Sequence, residues 1–286
     1  MTRHRVRASA VAGTFYPARP SELERMVDDL LAGALTPEGA PAPAALVVPH
    51  AGYVYSGPIA ATAYARLRGT AASISRVVAF GPVHYVPVRG AAVPVADAWA
   101  TPLGEVPIDP VLRDRAVSRG AAVDDRPHAP EHALEVQLPF LQRVLAPGFG
   151  FLPVAVSQLS AEETADLIEA FFGETGTLVV VSTDLSHYHG VETARRLDRH
   201  TAQAVVARNA AALGEEDACG IFALRGLVEL ARRKHLSIEL LDLRTSADTA
   251  GDPERVVGYG AFMIPGAPNP SRSPSRAITS AATESQ

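Results

Sequence analysis

Apolar residues along this chain fall into two alternating patterns, and their order predicts an α/β fold. Short runs recur at Ala45-Leu46-Val47-Val48, Val77-Val78-Ala79-Phe80, residues 149–156 and Leu178-Val179-Val180-Val181. Continuous apolar runs of this length mark strands buried on both faces, as in a parallel sheet. Between them, apolar residues return every three or four positions, the helical spacing. The first such segment is opened by Ser21 as its cap and runs to about Leu35, with Leu23, Met26, Val27, Leu30 and Leu31 on one face. Further helices are predicted at 58–67, with Pro58 in the first turn, and at 110–119 and 131–145, where Pro139 kinks or divides the segment. Another spans 160–172, where Ser160 and Glu163 stand at capping-box spacing, and two more span 191–212 and 217–235. Strands at 90–96, 237–243 and 256–264 complete the alternation, and 99–107 reads as an irregular excursion. The expectation is one α/β domain, residues 1–266, with a central mixed, mostly parallel sheet flanked by helices. From 267 to 286 periodicity stops and Pro, Ser, Ala and Arg dominate, so this tail is expected to be disordered.

The polar residues are not spread evenly over the strand ends. The run Leu178 to Val181 breaks into Ser182-Thr183-Asp184-Leu185-Ser186-His187-Tyr188-His189. The strand at 45–48 ends in a loop with His50, and the strand at 76–80 in a loop with His84. In open α/β sheets ligands sit beyond the carboxyl ends of strands. His50, His84 and His187 are therefore expected to converge on one sheet edge. The plainer reading of the 182–189 loop is a cap for the helix that begins near Gly190.

Those residue types suit metal and proton chemistry. Two histidines plus a carboxylate form the facial triad of non-haem Fe(II), and imidazole also suits zinc and copper. His50 and His84 are the candidate ligands, although loop histidines also commonly bond only to carbonyls. Asp184, Glu135, Asp248 and Asp252 are the carboxylates available for the third place. His187 is the candidate proton carrier, with Asp184 to fix its tautomer. Tyr53 and Tyr188 are candidate hydrogen-bond donors to a substrate. His132 and Glu135 lie three apart on a predicted helix and form a candidate pair for orienting a ligand. Acidic residues near a helix N-terminus would give the same pattern. His4, His128, His200 and His235 have no such context and read as surface residues.

Composition narrows the classes. The net charge of −5 and the absence of a dense Lys/Arg run give no pull toward nucleic acid. A single cysteine, Cys219, excludes an intramolecular disulfide and a cysteine-rich zinc site, and it reads as a small buried hydrophobe. No apolar run reaches the ~20 residues that span a bilayer and no signal-peptide core is evident, so a soluble, cytoplasmic protein is expected. There is no GxSxG, no GxGxxG after a strand and no Walker lysine.

Six ordered motifs carry a resemblance: PHAGYVYSG at 49–57, GPVHYVP at 81–87, TPLGEVPID at 101–109, EHALEVQLPFLQ at 131–142, STDLSHY at 182–188 and VVGYGAF at 256–262. Together they resemble the MEMO family, whose prokaryotic members are called AmmeMemoRadiSam system protein B. That family is similar in fold to class III extradiol dioxygenases, which hold Fe(II) by two histidines and a glutamate and use a further histidine as base. The resemblance implies a metal site at His50 and His84 and a base at His187. At the third position the chain departs: Thr249 stands where some members have cysteine, and Asp248 beside it is the expected substitute. It also implies Fe(II) as the first cofactor, copper or zinc as others, and a protein without a cofactor as a further case. The implied partners are a small molecule or peptide, and a shared pathway with a radical-SAM protein and an AMMECR1-like protein. Two functions stand side by side, a dioxygenase-like oxidoreductase and a non-catalytic peptide-, anion- or metal-binding module.

Overall fold

A computed structural model describes residues 4–37 and 40–266. In chain order, β1 (Val6–Arg7) and α1 (Pro20–Gly33) lead to β2 (Pro43–Val48), α2 (Tyr53–Tyr64), β3 (Arg76–Gly81) and β4 (Gly90–Val93). The hairpin β5 (Ala98–Thr101) and β6 (Gly104–Pro107) precedes α3 (Pro110–Ser118), β7 (Ala122–Val123) and α4 (Leu138–Val144). Then come β8 (Gly150–Ser157), α5 (Ala161–Glu169), β9 (Thr177–Ser182), β10 (His187–His189), α6 (Val191–Val206) and α7 (Ile221–Arg233). The last strands are β11 (Glu239–Thr245) and β12 (Val256–Pro265).

The apolar runs become the middle of a nine-stranded sheet of order β10-β12-β2-β9-β3-β8-β4-β7, with β11 also paired to β12. Strands β2, β9, β3 and β8 are mutually parallel. Antiparallel neighbours close this core on both sides, β12 against β2 and β4 against β8. The mostly parallel character therefore belongs to the centre, where Val47, Val77, Val78 and Val179 to Val181 are almost wholly buried beneath helices on both faces. The result is a single α/β unit with a mixed sheet flanked by helices. No described helix is long and apolar enough to cross a membrane.

Register fixes the functional edge. Val48 pairs with Ser182, and Phe80 pairs with Val181, so β2, β9 and β3 end side by side. Two glycines let other segments reach that edge. A Cβ on Gly81 would stand 2.9 Å from a Leu134 methyl, and one on Gly220 would stand 2.6 Å from the Ser182 carbonyl oxygen. The second approach brings the start of α7 directly over the end of β9.

Several local expectations change. The predicted 131–145 helix is a turn at its start, a 3-10 turn at Glu135–Gln137, and only then α4, with Pro139 in the first turn rather than at a kink. Buried side chains at 131–141 override helical spacing there, because both carboxylates of this stretch are claimed by distant partners. Helix α2 starts at Tyr53, so Pro58 lies inside it. Arg19, not Ser21, occupies the N-cap of α1. The 99–107 excursion is ordered as β5 and β6, with β1 parallel to β5. The 191–212 and 217–235 helices shorten to α6 and α7. The Ser160–Glu163 capping box is present as read. The tail expected at 267–286 lies outside the described residues.

Candidate metal centre

The three strand ends do converge. His50, His84 and His187 line one cleft of about 520 Å³, together with His132, Asp184, Tyr188 and Phe15. The ring centroids of His50 and His84 are 5.3 Å apart, and His132 stacks on His84 at 4.6 Å. The nitrogens of His50 and His84 and the Cys219 sulfur lie within 4.8 Å of one another. One ion bonded at ~2.0–2.3 Å to each donor spans such a group.

The hydrogen bonds assign how His50 presents itself. The Ser182 hydroxyl donates to the Ala133 carbonyl at 2.7 Å and accepts from the Gln137 amide at 2.9 Å. Its remaining lone pair faces His50 Nδ1 at 2.9 Å. The His50 proton therefore sits on Nδ1, and Nε2 turns a free lone pair toward Cys219 Sγ, 3.1 Å away. Burial, reinforced by neighbouring His84, pushes the His50 pKa down to about 3, so the imidazole is neutral at ordinary pH.

Glu131 does the same for His84. Its Oε1 accepts from His84 Nδ1 at 2.8 Å and its Oε2 from the His84 backbone N–H at 2.6 Å. Oε1 also accepts from the backbone of His132 and Ala133. Burial pushes this carboxyl up, but the bond and charge of His84 outweigh it and hold the pKa near about 2. A carboxylate on Nδ1 fixes the tautomer and raises the ligand strength of Nε2. Glu131 thus orients His84, and with His84 and His132 it also forms a second group of potential donors.

Cys219 is the third member of the group with His50 and His84. Its backbone N–H bonds to the Asp184 carbonyl at 3.2 Å, and its sulfur accepts from the Asp184 N–H at 3.2 Å. Gly220 N–H bonds to Thr183 Oγ1 at 2.8 Å and ties the segment to the end of β9. Burial, then the charge of Asp184, push the thiol pKa up, so without a cation it is a thiol. A bound metal deprotonates such a sulfur outright.

Asp248, expected as the third ligand, is engaged elsewhere. Its Oδ2 accepts from the Thr245 N–H and hydroxyl at 2.7 and 2.9 Å, and its Oδ1 from Arg195 at 2.7 Å. The residue closes a 3-10 turn and stands outside the donor group. Tyr53 also leaves the site. It is 2% exposed and its hydroxyl donates to the Val136 carbonyl at 2.6 Å, while Tyr55 takes a place on the cleft wall. Asp184 does not bond to His187; its Oδ1 accepts from the His50 backbone N–H at 2.7 Å, so it shapes the His50 loop. Burial pushes its pKa up. His132 lines the cleft as expected but is not paired with Glu135; burial and the nearby His50 push its pKa down to about 4. Tyr188 stands at the mouth, 64% exposed. The plainer alternative, capping by the 182–189 loop, is absent, since Gly190 starts α6 without a side-chain cap. His128, read as a surface residue, is buried against Trp99.

Comparison with known proteins identifies the relatives of the chain. A model of the family described as Memo-like protein matches residues 7–263. The chain belongs to the Memo family. A MEMO1 family protein of Methanopyrus kandleri is 34% identical over 279 residues, covering 90% of this chain and 98% of its own length. One from Aquifex aeolicus is 38% identical over 269 residues, covering 89% and 97%, and one from Thermotoga neapolitana is 33% identical over 277 residues, covering 91% and 99%. The Memo family fits the dioxygenase-like fold anticipated for the chain.

Glu131 and Cys219 are the members that sequence reasoning passed over. Glu131 immediately precedes His132 in the EHALEV motif, and the signal was present but masked by the i, i+3 pairing of His132 with Glu135. Cys219 carries one local sign, the glycine after it, which permits the close approach to β9.

Proposed function

We propose that this Memo-family protein is a metal-dependent oxidoreductase of dioxygenase-like type, acting on a small molecule in the cleft. The observation that carries the reading is the donor set: His50 Nε2, His84 Nε2 and Cys219 Sγ, two of them with Nδ1 already fixed by other groups. Fe(II) is the proposed ion, and when bound it supplies the electrons for reaction with O₂. Ser182 and Glu131 hold the two imidazoles in the ligating tautomer. Half-buried His187, at the start of β10, faces the same cleft and is placed to take a proton from a substrate hydroxyl. His132, stacked on His84, and Phe15, 4.7 Å from His132, cover the inner wall beside His84 and limit water.

The thiol in place of a carboxylate favours a second reading, a site that carries metal without turnover. Thiolate is a soft donor that suits Cu(I) and zinc as well as iron. Protein purified anaerobically, wild type beside the His50→Ala/His84→Ala double variant, separates these readings. The oxidoreductase account expects stoichiometric iron in the wild type, lost in the double variant, and O₂ consumption with a catechol-type substrate that falls in His187→Ala. Tight metal binding with no O₂ consumption in any variant would leave only metal carriage.

A further inference from the structure

We propose that Arg255 selects substrates bearing a single carboxylate, held at the mouth of the cleft away from the metal donors. The inference takes the cleft of the proposed function as the binding site but does not depend on a metal being bound.

Arg255 immediately precedes β12 and reaches the rim of the cleft. Its guanidinium lies 4.5 Å from the centroid of the Tyr188 ring. A cation over an aromatic face keeps its in-plane N–H donors available, and those donors match a carboxylate in a fork. Other arginines of this region are paired: Arg195 with Asp248, and Arg244 with Asp242. Arg255 has no carboxylate partner among the described residues. Glu254, the adjacent acid, forms no ion pair with it, and Asp252, three residues before, uses its Oδ1 to accept from the Glu254 N–H at 2.8 Å.

Tyr188 supplies a second, independent observation. Its φ is +63°, a left-handed backbone that bulky L-residues avoid. The ring is largely exposed, and the residue forms a bulge where the pairing of β10 with β12 shifts register between His187 and His189. What the conformation achieves is to lay the ring beneath Arg255 at the cleft mouth, next to His187. Backbone outliers of this kind cluster at ligand sites.

Charge count decides the type of anion. Among the described residues, Arg255 is the sole Lys or Arg lining the cleft, whereas Asp184 and Asp252 both line it. Arg255 offers one positive charge to pair with one carboxylate, and the two acids nearby repel the second charge of a phosphate dianion.

The test uses metal-free full-length protein and two probes of equal shape, benzoate and benzamide, followed by amide chemical shifts. Benzoate is expected to shift the amides of Tyr188, Gly251 and Arg255, to bind more tightly than benzamide and to weaken with salt. Arg255→Gln should lower benzoate affinity about tenfold and leave benzamide unchanged, since one charge-assisted pair is lost; Arg255→Lys should fall between. Equal affinity for the two probes overturns the proposal, as does unaltered benzoate binding in Arg255→Gln or shifts confined to other surfaces. Failure of the metal centre would appear separately, as no metal uptake with the benzoate preference intact.

Discussion

Glu131 and Glu135 sit four residues apart in one buried segment, and they do opposite work. Glu135 faces the interior. It accepts from Arg7 at 2.6 Å, the Tyr16 hydroxyl at 2.6 Å, and the backbone N–H groups of Ala10 and Val11 at 2.7 and 3.1 Å. Arg7 in turn bonds to the carbonyls of His128 and Glu131 and lies over Trp99. This carboxylate fastens the N-terminal segment to the body. Glu131 faces the cleft through His84 and fixes the tautomer of that imidazole. A saturated buried carboxylate is thus a structural tie, while one whose partner has a free lone pair beyond it is part of a site.

The largest effect that would break this comparison is at Glu135. Glu135→Ala leaves Arg7 as an uncompensated buried charge, and should cost roughly 3–5 kcal/mol of stability. Chemical denaturation checks it, and metal uptake per folded molecule should stay unchanged. Asp198 comes next, because it is a buried acid without such partners. It bonds to the Ser186 N–H at 3.0 Å, its other oxygen has no hydrogen-bond partner, and burial raises its pKa from the usual 3.8 to about 6. The folded state therefore binds the proton more tightly than the unfolded one. Stability is fullest below the unfolded value and falls as pH rises from about 4 to 6, by up to about 3 kcal/mol. Asp198→Asn should abolish that slope when denaturation midpoints at pH 4 and pH 7 are compared. A steeper slope in the variant would contradict the assignment.

Glu131→Gln probes the other side of the contrast. Losing the charged partner of His84 should weaken metal affinity by roughly 10- to 100-fold. Competition with a chelator measures this, and a drop confined to stability would place Glu131 with Glu135. The smallest effect is at Tyr53. Tyr53→Phe removes one buried hydrogen bond to Val136 and should cost about 1 kcal/mol with metal affinity unaltered. A change in substrate binding there would restore Tyr53 to the cleft.

Much of this was legible before the fold was seen, because it depends on local patterns. The apolar runs at 45–48, 77–80 and 178–181 read as buried strands, and their parallel register brings His50 and His84 to one edge. The third donor was not legible from spacing. Cys219 is brought to His50 by the packing of α7 on β9, through a gap that only Gly220 leaves open. Asp248 was attractive because it stands in the loop before β12, yet Arg195 lies closer to it than any site histidine. Tyr53 was misplaced for a related reason. With α2 beginning at Tyr53 rather than at Pro58, the helix turns that side chain inward and Tyr55 outward.

The central claim is that Cys219, not Asp248, completes the centre with His50 and His84. Cobalt(II) substitution tests it most directly, because a cysteine thiolate bound to cobalt gives an intense charge-transfer band in the near ultraviolet. The account predicts one equivalent of cobalt with that band in the wild type and in Asp248→Asn, and loss of the band in Cys219→Ser. A wild-type spectrum without the band, or a spectrum lost in Asp248→Asn and kept in Cys219→Ser, would contradict it.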